Sequence, residues 1–182
     1  DSIMIALRRI TSTDDSMWNR LMTLYNESFP PEERRAVHQL EQMLAIVPEM
    51  FFNAVEENGL LCGLASYWDL GDFYYMEHLA VFPEMRNRKI GQQILAYWKE
   101  HLNKPQLLEV EPAVEEMACR RIGFYERNGY KVLYKDYVQP SYTTNEEACP
   151  LWIMGTADCP EIETHIERIK EIVYRRPRAL LY

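Results

Sequence analysis

The sequence contains no apolar run near the roughly twenty residues that a membrane-spanning helix needs, and its first residues lack the apolar core of a signal peptide. Positive charge is also scarce. Lys and Arg number 20 against 28 Asp and Glu, giving a net charge of -8 and a pI near 5.1. That balance argues against general affinity for nucleic acid or an anionic membrane and favours small or cationic partners. The four cysteines, Cys62, Cys119, Cys149 and Cys159, form no C-x-x-C pair and have no histidines at zinc-ligand spacing. The expectation is free thiols, no metal and a reducing cytoplasm. A G-x-x-x-x-G-K-[ST] loop is missing, which removes the P-loop NTPases. There is neither an internal repeat nor a low-complexity linker.

What is present fits a folded chain with one sizeable core: 182 residues, 47% hydrophobic and 12% aromatic. Residues 3–10 form a plausible strand. The spacing of Trp18, Leu21, Met22 and Tyr25 predicts a helix from about Asp15 to Ser28, stopped by Pro30 and Pro31. A second helix is expected from about Glu32 to Ile46. Residues 50–57 and 60–69 read as strands joined at Asn58-Gly59, a hairpin signal. Both faces of the second strand are apolar, as in a sheet covered by helices on each side. A strand at 106–112, a helix from Glu115 to Asn128 closed by Gly129, and strands at 130–138 and 150–156 around a polar loop complete the pattern. Beyond it, Ile162, Ile166, Ile169 and Val173 mark an amphipathic helix, packed back on the domain with a frayed tail, or else serving as a dimer contact or lid. Residues 1–158 read as one domain and 159–182 as its helical extension.

The chain is organised around 74–95. Tyr74 to Phe82 is rich in aromatic and β-branched residues, and Ile90, Ile94, Leu95 and Trp98 give a helix with one buried face. The turn between them carries Arg86, Arg88 and Lys89. A helix start leaves backbone N–H groups without partners and adds partial positive charge, so a basic turn there suits an anion such as a diphosphate.

On Arg86, Asn87, Arg88, Lys89, Ile90 and Gly91, preceded by LAVFPE, the stretch resembles the GCN5-related N-acetyltransferase (GNAT) superfamily, with Lys89 standing where that family usually has its first glycine. The segment 122–130, IGFYERNGY, resembles a second motif of the same family, and so does the order β-α-α-β-β-β-α-β-α-β-β from 3 to about 156. The resemblance implies an α/β (α+β) fold with a mixed, mostly antiparallel sheet flanked by helices. It also implies acetyl transfer from acetyl-CoA to an amine of a small molecule or peptide in a ternary complex, by a monomer or homodimer. Arg86 to Gln92 would hold the diphosphate, and the backbone of Leu79, Ala80 and Val81 would pair with the pantetheine arm and polarise the carbonyl. Tyr125 would stand by the sulfur and protonate the thiolate. Ala118 replaces an asparagine common in relatives, and Arg120 and Arg121 are unusual there.

A base must take a proton from the amine. Glu77 leads, on a central-strand face with Tyr75, Leu79 and Val81 where partial desolvation would raise its pKa. Glu109 and Glu111, two apart on one strand face, compete, and His78 is a packing residue first. The segment FPPEERR, 29–35, resembles one that borders the acceptor pocket in relatives; it also reads as an ordinary helix start. The rival function is a non-catalytic acyl-CoA sensor or interaction module.

Overall fold

The apolar periods resolve into β1 (Ile5–Arg9), α1 (Trp18–Ser28), α2 (Val37–Ile46), β2 (Met50–Glu57), β3 (Leu60–Asp69), β4 (Tyr74–Val81), α3 (Ile90–His101), β5 (Gln106–Val110), α4 (Glu116–Arg127), β6 (Lys131–Pro140), β7 (Glu147–Gly155) and α5 (Ile162–Ile169). This is a computed structural model describing residues 4–181. Ile3 of the expected first strand and Tyr182 of the tail lie outside the described residues. The seven strands follow the order β1-β2-β3-β4-β5-β7-β6. β4 and β5 run parallel, whereas β1–β2, β2–β3, β5–β7 and β6–β7 are antiparallel. The fold is thus mixed α/β, with a mostly antiparallel sheet flanked by helices.

Two compact units divide the chain. One comprises residues up to Trp68 with Glu77–Asn103, the other Asp69–Met76 with Lys104 onward. In the first unit, β2 and β3 join through Asn58 (φ 52) and Gly59 (φ 79), the two positive φ angles that a tight two-residue hairpin requires. Phe51 and Phe52 point to opposite faces because strand side chains alternate. Phe52 meets Trp18 of α1 edge-on at 5.8 Å; Phe51 stacks on Tyr67, whose ring meets Trp98 of α3 at 6.3 Å. Both faces of β3 are therefore covered, as its apolar alternation implied, and residues 61–66 are all buried. Burying Ile90, Ile94, Leu95 and Trp98 fastens α3 to the sheet at roughly 1.5–3 kcal/mol per side chain.

In the second unit, β7 pairs with both β5 and β6, and its Ile153 and Met154 are fully buried. Gly129, at φ +95, supplies the left-handed turn that ends α4. Ser141 N donates to Glu146 O, while Ser141 Oγ accepts from Thr143 N and Thr144 N. That tight turn lets β7 start at Glu147, three residues before the expected strand, and shortens the polar loop.

Two expectations need correction. The second helix starts at Val37 instead of Glu32; Pro31–Glu33 is only a 3-10 turn, and Arg34 and Ala36 are extended. Extending this stretch delivers Arg35 to a buried partner, described below. The tail is not frayed, either. After α5 the chain continues through a π-helical turn, Lys170–Arg175, a helical turn, Arg176–Arg178, and a 3-10 turn, Ala179–Leu181, with Ile172, Val173 and Tyr174 buried.

A Cβ on Gly63 would lie 2.3 Å from Ala80 O, so β3 and β4 approach each other more closely than any side chain allows. Gly63→Ala should destabilise the protein by about 1–3 kcal/mol, read as a lower urea midpoint with an unchanged slope.

Candidate functional site

β4 carries the first cluster. The Glu77 side chain is 2% exposed and that of Arg35 1%. Arg35 Nη1 donates to Glu77 Oε2 at 2.6 Å, and Trp68 Nε1 donates to Oε1 at 2.8 Å. The apolar setting expected for Glu77 is replaced by a guanidinium and an indole, so both carboxylate oxygens are engaged. Arg35 reaches it because its own N–H donates to Tyr25 OH at 2.9 Å, and Arg34 is bonded to Phe29 O and Asn26 Oδ1. Segment 29–35 is thereby pinned to β4. His78 is buried against Tyr25 and Phe29, with Nε2 donating to Glu33 O at 2.8 Å. Burial pushes its pKa down and the neighbouring Glu77 only partly opposes this, which keeps it a neutral packing residue.

Backbone polarity along β4 follows from two bonds. His78 N donates to Ser66 Oγ and Phe82 N to Cys62 O, both toward β3. By strand alternation the main-chain groups of Glu77, Leu79 and Val81 point away from β3. These three residues are half-buried while His78 and Ala80 are buried. Since the Glu77 side chain is 98% covered, that residue meets solvent through its main chain.

The basic turn follows. Arg86, Asn87, Arg88 and Lys89 are exposed, Ile90 is buried and Gly91 half-buried. Asn87 (φ 71) and Lys89 (φ 58, ψ 30) occupy left-handed backbone, so Lys89 takes the shape a glycine would give, at roughly 1–2 kcal/mol. α3 then begins with no side-chain cap and no acidic residue in its first turn. Its leading N–H groups and the dipole behind them remain available to an anion. Arg88 is held by Glu57 at 3.2 Å, and Gln93 Nε2 donates to Arg88 O.

The second unit holds the other candidates. Tyr125 on α4 is half-buried, packed edge-on against Phe124 and Tyr130. Its hydroxyl has no hydrogen-bond partner among the described residues. Burial raises its pKa above 10.0 and Arg121 pulls it back. Arg121 also lies 3.7 Å from Glu111, whose side chain is 48% exposed. One guanidinium therefore stands by both a phenol that keeps its proton and a solvent-accessible carboxylate.

Glu109 and Glu111 do not share a face. β5 ends at Val110, leaving Glu111 at the surface and Glu109 half-buried, with its carboxylate held among hydrogen-bond donors. Tyr137 OH donates to Glu109 Oε2, Gln139 Nε2 donates to Oε1 at 2.8 Å, and Tyr174 OH bonds both oxygens at 2.7 and 2.9 Å. Tyr75 OH follows, 3.2 Å from Tyr174 OH. Desolvation raises the Glu109 pKa above 4.5, with the hydrogen bonds opposing it.

The acetyltransferase (GNAT) domain family matches residues 48–132. A putative acetyltransferase of the GNAT family from Bacteroides thetaiotaomicron superposes with a TM-score of 0.88 at 35% identity, over 93% of this chain and 98% of that one. The chain belongs to the GNAT acetyltransferase family. The putative acetyltransferase YjbC of Bacillus subtilis (strain 168) is 28% identical over 124 residues. That match spans 66% of this chain but only 62% of YjbC, less than two thirds of its length. An aminoglycoside 6'-N-acetyltransferase solved in complex with coenzyme A shares the fold at 17% identity, with a TM-score of 0.56 over 87% of this chain and 99% of its own.

In this member of the GNAT family Leu79, Ala80, Val81 and 86–92 lie in one unit with Glu77, and Tyr125 and Glu111 lie in the other. Sequence reasoning missed Arg35 and Trp68 as partners of Glu77, and Tyr137, Gln139 and Tyr174 as partners of Glu109. An acidic residue inside each apolar strand was the available signal, since a buried carboxylate must find donors. Among the described residues no helix is long and apolar enough to cross a membrane.

Removing one partner of the buried pair strands the other, so Glu77→Gln should cost about 3–5 kcal/mol in chemical denaturation. Glu109 titrates the other way. The unfolded chain sheds this proton near 4.5 whereas the folded chain keeps it to higher pH, so its contribution to stability is full below 4.5 and falls as pH rises through the folded value. Glu109→Gln should flatten that decline, its melting temperature gaining on wild type from pH 4.5 upward.

Proposed function

We propose that the chain moves an acetyl group from acetyl-CoA to an amine of a small molecule or peptide, by direct attack in a ternary complex. The observation that carries this reading is the left-handed Lys89 before an uncapped α3. A lysine bears that backbone cost where the turn must present N–H groups outward, and its ammonium adds charge at the same end. Arg86, Asn87, Arg88, Lys89, Ile90, Gly91 and Gln92 would hold the diphosphate, with Glu57 positioning Arg88. The exposed main-chain edge at 77, 79 and 81 would pair with the pantetheine arm, and Leu79, Ala80 and Val81 would polarise the acetyl carbonyl as an oxyanion-type site. Acetyl-CoA supplies an acetyl group activated as a thioester. The coenzyme A complex of the aminoglycoside acetyltransferase with this fold supports the choice of co-substrate.

Tyr125 would protonate the departing thiolate: its raised pKa keeps it a donor at neutral pH, and its hydroxyl is uncommitted. Among the carboxylates, Glu111 is the best placed to accept the ammonium proton, directly or through water. Glu77 has both oxygens bonded and Glu109 is enclosed by four donor groups, whereas Glu111 is open to solvent. Glu77 then serves as a positioning residue through Arg35. A cytoplasmic setting suits the four free thiols.

Coenzyme A release measured over an amine panel tests the scheme. Tyr125→Phe should lower kcat by about 100-fold and remove the fall in rate at alkaline pH. Glu111→Gln should lower kcat by about 100-fold, and Arg86→Glu or Arg88→Glu should raise KM for acetyl-CoA with unchanged circular dichroism. Full activity in the Tyr125→Phe/Glu111→Gln double variant would overturn the assignments. Tight coenzyme A binding without turnover on any amine would favour the sensor.

A further inference from the structure

We propose that Cys159, Glu161 and His165 form a binding site for one divalent cation of zinc-like character where the chain passes from β7 into α5. The sulfur, one carboxylate oxygen and one imidazole nitrogen all lie within 4.8 Å of one another. Ligands of a tetrahedral zinc ion stand about 3.3–3.8 Å apart, given metal–ligand bonds of 2.0–2.3 Å. Side-chain rotation of about 1 Å would bring these three together. A thiolate beside an imidazole selects a borderline or soft metal, whereas calcium and magnesium take oxygen ligands. Three protein ligands leave a fourth position for water.

A cavity of about 240 Å³ opens against the same three residues, with Phe73, Pro105 and Leu107 in its wall and Asp72 and Asp158 adding carboxylates. It provides room for the ion and its water beside Asp72, while Asp158 is already paired with Lys131 at 2.5 Å. The His165 ring is stacked on the fully buried Phe73 at 4.1 Å and 12°, which sets the imidazole plane. Glu161 and His165 are four apart at the start of a helix, so their side chains rise on one face. Arg168 Nε donates to Leu70 O at 2.7 Å and fixes the same helix further along. Among the described residues the imidazole nitrogens have no hydrogen-bond partner, and the thiol meets only Glu161, through Oε2 at 3.9 Å and the backbone N–H. These side chains are held in place yet uncommitted. The sequence expectation of no metal came from spacing alone: ligands at positions 159, 161 and 165 match no standard zinc-finger interval.

Binding forms a sulfur–metal bond and releases the thiol proton to solvent. The ion would clip the β7–α5 junction, and with it the helical stretch that carries Tyr174 to Glu109.

The test uses the full chain stripped by chelator and titrated with Zn²⁺ by calorimetry and with Co²⁺ by absorbance. A single saturating ion per chain, a thiolate-to-cobalt charge-transfer band and buffer-dependent proton release are expected. Cys159→Ser should abolish the band, His165→Asn should weaken Zn²⁺ binding at least about tenfold, and Zn²⁺ should raise the melting temperature of wild type but of neither variant. If Cys159→Ser does not fold, the wild-type stoichiometry and His165→Asn decide. No saturable binding would overturn the proposal. So would a band and affinity unchanged in the variants, because the metal would then sit on Cys62, Cys119 or Cys149.

Discussion

The buried ion pair between Arg35 and Glu77 is the constraint on which the first unit depends. Two charges that have left water must be matched by each other and by further hydrogen bonds. Here the indole of Trp68 completes the carboxylate, and the phenol of Tyr25 holds the arginine main chain. Because Arg35 must reach inward, residues 34–36 stay extended and α2 starts late. Glu77 meets it with its side chain, while the hydrogen bonds of His78 and Phe82 toward β3 turn the main-chain groups of Glu77, Leu79 and Val81 the other way.

Backbone conformation plays the corresponding part in the basic turn. Lys89 holds a glycine-like torsion while keeping its charge, which separates two properties that glycine-rich anion loops normally combine in backbone alone. Arg88 is anchored to Glu57, whereas exposed Lys89 makes no ion pair among the described residues, so the turn mixes one tethered cation with one open to solvent.

Element order was legible because apolar periods of two and near four are local, and so was the hairpin at Asn58-Gly59, whose chemistry is carried by two neighbouring residues. The resemblance of 86–91 and 122–130 to one family was legible for the same reason. Partners 42 or 65 residues away, such as Arg35 for Glu77 and Tyr174 for Glu109, were not. The boundary of α2 failed with them: local propensity favoured helix at Glu32, and a distant carboxylate overruled it. The pairing of Glu109 with Glu111 on one face failed because β5 stops between them.

The π-helical turn at 170–175 has a consequence for phase. An α-helix advances about 100° per residue, whereas a turn closed by i→i+5 bonds accommodates one residue beyond that rhythm. Ile172, Val173 and Tyr174 are consecutive and all buried, which a regular helix lying on a single flat surface does not achieve. The bulge acts as a phase-shifter. It lets the aliphatic stripe begun by Ile166 and Ile169 continue while the next side chain swings round to the enclosed carboxylate.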